Sequence, residues 1–149
     1  MKISKFLLLV AIIGVLFTYS GCKKKTEPGQ SPQDAQLVKL SKVWKLTAVT
    51  LDNSPQTGYT SFQLTISSTA GQTTFSYTTS GRPALSPWGP NGTFTYGTDF
   101  ATQLTRDDAL PITYSVTDTQ LQMTFNYSGA GIPGRVSNVK GNWVFTFGL

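Results

Sequence analysis

Few side chains in this sequence could do covalent chemistry. The 149 residues include no histidine and one cysteine, Cys22. Without histidine there is no Ser–His or Cys–His nucleophile pair, and the commonest transition-metal ligand is missing. A single cysteine forms no intramolecular disulfide. Asp107 and Asp108 are adjacent in an expected turn, so on an extended chain their carboxylates point apart. Hydrolysis by paired carboxylates requires two acids held across a cleft. The expected role of these two, as of Asp99 and Asp118, is to bond the backbone of a turn. The sequence points to no catalytic residue, metal ligand or cofactor, and the chain reads as non-enzymatic.

Two long loops remain as candidate binding elements. Residues 80–91 (SGRPALSPWGPN) are rich in proline and carry Arg82, Leu85 and Trp88. Prolines lower the entropy lost when a loop takes a fixed shape. Residues 129–140 (GAGIPGRVSNVK) are glycine-rich and carry Ile132 and Arg135. If both loops lie at one end of the domain, Trp88 with Arg82 and Arg135 forms an apolar floor under an anion-binding rim. The plainer expectation is that Trp88 plugs the domain, with the arginines solvated or paired to Asp.

Cys22 takes its meaning from the residues before it. Lys2 and Lys5 give a positive start, and Phe6 to Phe17 is an unbroken apolar run of 12 residues. Crossing a hydrocarbon core takes roughly 20, so a signal-peptide core fits better than a spanning helix. Small residues Ser20 and Gly21 follow, then Cys22. The segment Tyr19-Ser20-Gly21-Cys22 resembles a bacterial lipobox, with Tyr19 where that pattern usually has an aliphatic residue. The resemblance implies that residues 1–21 are a lipoprotein signal peptide and that the sulfur of Cys22 receives a diacylglyceryl group. The alternatives are an ordinary signal peptide with an incidental cysteine, or a buried thiol. Residues 22–33 then form a flexible tether: after Cys22 they are polar, with two prolines and a glycine. Lys23, Lys24 and Lys25 either meet anionic head groups or keep this stretch solvated. The expected location is the cell envelope, at an outer membrane facing the periplasm. Surface exposure stays open, although three lysines are the opposite of the acidic residues that often follow an exported cysteine.

The net charge of +5 invites a nucleic-acid reading, but its placement argues otherwise. From Leu37 onward seven basic residues face five acidic ones, leaving about +2 with no concentrated face. The positive charge belongs to the targeting segment and tether.

The domain is expected over 34–149. Ser31, Pro32 and Asp34 are helix-start residues, and Leu37 and Leu40 repeat at helical spacing, predicting a short helix over 32–41 that closes one end. From Val43 the period changes to two. Trp44, Leu46 and Ala48 share a face, as do Phe62, Leu64 and Ile66, then Phe75 and Tyr77, then Phe94 and Tyr96. Residues 100–106, 111–116, 121–127 and 143–147 continue the alternation. About eight short strands in meander order predict an all-β antiparallel barrel, with a β-sandwich as the alternative. An embedded outer-membrane barrel would require strands of roughly 9–11 residues with an outward apolar band, longer than most of these runs.

Leu40-Ser41-Lys42-Val43-Trp44-Lys45-Leu46 after a short helix resembles the opening of lipocalin-like lipoprotein domains of Gram-negative bacteria. The stretches 75–80 (FSYTTS), 91–97 (NGTFTYG), and Gly134-Arg135-Val136 with 141–145 (GNWVF) are also similar to such domains. The resemblance implies a lipid-anchored barrel that binds a small apolar or amphipathic ligand. The other reading is a structural or assembly partner of another envelope protein, with a solid barrel. An interior filled by Trp44, Trp143 and the phenylalanines would favour the second.

Overall fold

The computed structural model describes residues 30–129 and 139–149. The expected signal peptide, Cys22, the tether as far as Gly29, and Ile132 and Arg135 lie outside the described residues. The first element is α1 (Pro32–Leu40). Ser31 Oγ accepts from Asp34 N at 3.1 Å while the Asp34 carboxylate accepts from Ser31 N, a capping box that satisfies helix-end N–H groups. Because Ser31 belongs to this cap, the compact unit begins there, earlier than the expected boundary at 34.

Nine strands follow among the described residues: β1 (Val43–Leu51), β2 (Ser54–Pro55), β3 (Gln63–Ser67), β4 (Thr74–Ser80) and β5 (Asn91–Tyr96). Then come β6 (Gln103–Arg106), β7 (Pro111–Val116), β8 (Gln120–Tyr127) and β9 (Gly141–Gly148). Each pairs antiparallel with the next from β3 to β9, and β1 pairs with both β3 and β9. That last pairing closes eight strands into a barrel and selects it over a sandwich. The two-residue β2 folds back on β1 through Asp52 and Asn53, both at positive φ (49° and 65°), as a two-residue hairpin turn requires.

Alternation decides which side chains fill the barrel. Leu121, Met123, Phe125 and Tyr127 of β8, and Trp143, Phe145 and Phe147 of β9, are all buried as expected. On β4 and β8 the outward positions are uncharged and polar instead: Thr74, Ser76 and Thr78, and Gln120, Gln122 and Asn126. An outward apolar band is not what this surface carries. Two expectations are corrected. In β1 the register slips between Leu46 and Ala48, so Val49 turns inward and Ala48 outward. A β-bulge adds one residue to one strand, which inverts the parity beyond it. The strand expected from Phe100 starts only at Gln103, because Asp99 holds a turn by accepting from Ala101 N (3.0 Å) and Thr102 Oγ1 (2.7 Å).

The two ends are closed differently. At one, α1 buries Leu37 and Leu40, and Trp44 Nε1 donates to Leu40 O at 2.8 Å. Gln36 reaches Ala101 O and Tyr114 Oη, and Tyr96 Oη donates to Gln33 O. At the other end Trp143 Nε1 donates to Val139 O at 2.8 Å, again four residues back along the chain. A buried indole thus has a partner for its one polar atom.

Candidate functional site

The 80–91 loop leaves the barrel at Ser80 and re-enters at Asn91, at the same end as the connections β6–β7 and β8–β9. The loop turns inward over this end. Thr79 Oγ1 donates to Gly89 O at 2.7 Å, Thr79 N to Pro90 O, and Ser86 Oγ accepts from Trp88 N. Trp88 is wholly buried in the barrel interior. Its ring lies edge-on to Tyr77 and Phe125 (both 5.5 Å between centroids), Phe145 (5.8 Å) and Phe94 (6.3 Å). Phe125, Phe145 and Phe147 stack in turn on one another below it.

The cation that meets Trp88 is Arg106, which stood outside the expected set. Its guanidinium carbon lies 5.3 Å from the Trp88 ring, 5.7 Å from Phe125 and 6.0 Å from Tyr127. Nε donates to Asp108 Oδ1 at 2.9 Å and Nη2 to Oδ2 at 2.6 Å, a two-pronged ion pair. Nη1 donates to Pro87 O at 2.9 Å, tying the Trp88 loop to the β6–β7 turn. Burying a guanidinium is costly unless its donors are matched, and here each nitrogen has an oxygen. Burial pushes the Asp108 carboxyl up, but the hydrogen bonds and charge of Arg106 more than offset this and hold it below its ordinary value. Burial also raises the Tyr77 hydroxyl to about 12.

Asp108 bonds the backbone of its own turn at Leu110, as expected, and both acids also reach beyond it. Asp107 accepts from Thr93 N on the neighbouring strand, and Asp108 binds Arg106. Arg82 is half-buried at the loop's start. Of the expected trio, Arg82 and Trp88 belong to this loop, and Arg135 lies outside the described residues. A visible signal did exist for Arg106. It shares the parity of the inward Leu104, and an acid follows two residues later.

A permanently charged guanidinium moves no proton at ordinary pH, so Arg106 braces the loop and is itself neither acid nor base. Among the described residues no three His, Cys, Asp or Glu side chains converge as a metal site would require. Open grooves are lined by described residues. One of about 390 Å³ runs between Leu46–Val49 and Gln56–Thr60, where β1 and β3 diverge. Another of about 320 Å³ sits beside α1, lined by Gln33, Thr95, Tyr96 and Phe100 among others.

No family model, curated protein or solved structure matches this chain.

Proposed function

We propose that this chain is a lipid-anchored protein of the cell envelope, held to a membrane through Cys22. Its barrel is solid, and it serves as a non-enzymatic structural or assembly partner of another envelope protein through its outer surface. The observation that carries the choice is the interior, where Trp88, Phe94, Phe125, Phe145 and Phe147 occupy the space a barrel ligand would take. Supporting the anchor are the 12-residue apolar run, the small pair Ser20-Gly21 and the chain's one cysteine directly after them. Each buried methylene of an acyl chain contributes roughly 0.8 kcal/mol, so several chains make release negligible. The outer membrane facing the periplasm is the location in keeping with Lys23–Lys25.

Cys22→Ser tests the anchor: incorporation of a labelled fatty acid should vanish, and unchanged labelling refutes it. Extraction in mild detergent tests the partner, since a second envelope protein should co-purify in fixed ratio, and a lone monomer counts against it. A second reading has one observation in its favour. The groove between Leu46–Val49 and Gln56–Thr60 is roomy enough for a small amphipathic ligand on the barrel's outside. Thr47→Trp would fill that groove, and ligand binding there should be lost while the fold is kept.

A further inference from the structure

Among the described residues, one end of the barrel carries three of the four large apolar side chains that are exposed, the fourth being Leu85. Val38 (62% exposed) and Val43 (48%) lie at the α1–β1 corner, and Leu149 (57%) follows β9 at the same end. The pairing of Lys45 with Gly148 brings the β9 terminus beside β1. Interleaved with these three are the exposed Lys39 and Lys45, while the half-buried Lys42 lies over the Trp44 ring. Because Leu37 and Leu40 are buried, Val38 and Lys39 face away from the barrel. The chain also enters the domain here, at Ser31. Only eight residues, nine Cα–Cα steps, separate Ser31 from Cys22. That many steps reach about 30 Å at most.

We propose that this end is a docking face for an anionic lipid surface, with Val38, Val43 and Leu149 at the head-group boundary and Lys39 and Lys45 on lipid phosphates. The proposal rests on the anchoring reading and adds an orientation to it. Apolar side chains alternating with lysine stems suit a bilayer interface, where the stem lies on apolar material and the ammonium meets the head group. The acids at this end limit the footprint. Asp34 and Asp99 are held by backbone N–H groups at Gly71 and Ala101, under the β3–β4 and β5–β6 turns. Asp118 lies closer, since its carbonyl accepts from Lys42 Nζ. Contact is thus confined to the α1, β1 and β9 side, and the barrel tilts towards it.

The test uses the full acylated chain in vesicles of phosphatidylethanolamine and phosphatidylglycerol. A nitroxide is placed at Val38→Cys, at Val43→Cys, or at Leu85→Cys at the opposite end, with Cys22 blocked by its acyl group. The labels at 38 and 43 should become several-fold more accessible to oxygen than to a water-soluble nickel chelate, and the label at 85 should not. Lys39→Gln and Lys45→Gln, both exposed, should each weaken the docked population about fivefold. Phosphatidylcholine vesicles should abolish it while flotation persists. If the chain floats but the label at 38 behaves like that at 85, the docking face is overturned and the anchor stands. If the chain does not float, the anchor falls and this orientation falls with it.

Discussion

Arg106 occupies a position where a sheet of this kind normally carries an aliphatic residue, and its neighbours specify what losing it would do. Arg106→Ala leaves the Asp108 carboxylate without its cation and Pro87 O without a donor. The expected cost is about 3–5 kcal/mol, read from urea denaturation midpoints. Arg106→Met combined with Asp108→Leu should recover much of it, because a pair replaced together leaves no stranded charge. The pH dependence follows from Asp108, which titrates below its ordinary value of 3.8. A carboxyl depressed on folding contributes stability above its unfolded pKa and loses that contribution as pH falls through its folded pKa. Urea midpoints should therefore drop below about pH 4, and Asp108→Asn should flatten that limb of the curve. At this scale the sequence was partly legible. Trp88 as a plug follows from its place in a proline-braced loop, whereas the partner of a buried arginine depends on which strand ends meet in space.

The elements themselves were legible where period and punctuation agree. In β7, β8 and β9 strict alternation runs between turn residues, and the observed bounds stay within two residues of those expected. The bulge in β1 was hidden, because Leu46, Ala48 and Val49 are all apolar and either parity reads as a buried face. The Trp88 loop depends on a backbone feature that composition only hints at. Gly81 has φ +63°, and a Cβ there would lie 2.0 Å from Ser61 O. Gly71 has a similar φ of +80°, with nothing within 4 Å of such a Cβ. Gly71→Ala should cost about 1 kcal/mol from conformation alone. Gly81→Ala should cost at least twice that and loosen the loop, seen as increased quenching of Trp88 by acrylamide.

Across the whole molecule, one continuous core joins both end closures: Trp44 near α1, Trp143 and Trp88 at the other end, and stacked phenylalanines between. Unfolding should be a single transition. Tryptophan emission should start blue-shifted, and its red shift should coincide with loss of the far-ultraviolet strand signal across a urea series. Separate curves would mean that the two ends melt independently. The meander was readable from eight alternating runs, but barrel against sandwich was not. That choice rests on whether β1 and β9 meet, and both strands look alike for either outcome.

Their meeting also sets the order of events in folding. Thr47 on β1 donates to the carbonyl of Thr146, 99 positions along the chain. Every other strand contact can form as soon as the next hairpin exists, but this seam waits for the last segment to be made. Until then β1 and β8 are open edges, free to pair with other chains. A polypeptide built this way gains little by folding early and is exposed while half-made. Delivery across a membrane as an unfolded thread, with the barrel closing only on arrival, would suit such a seam.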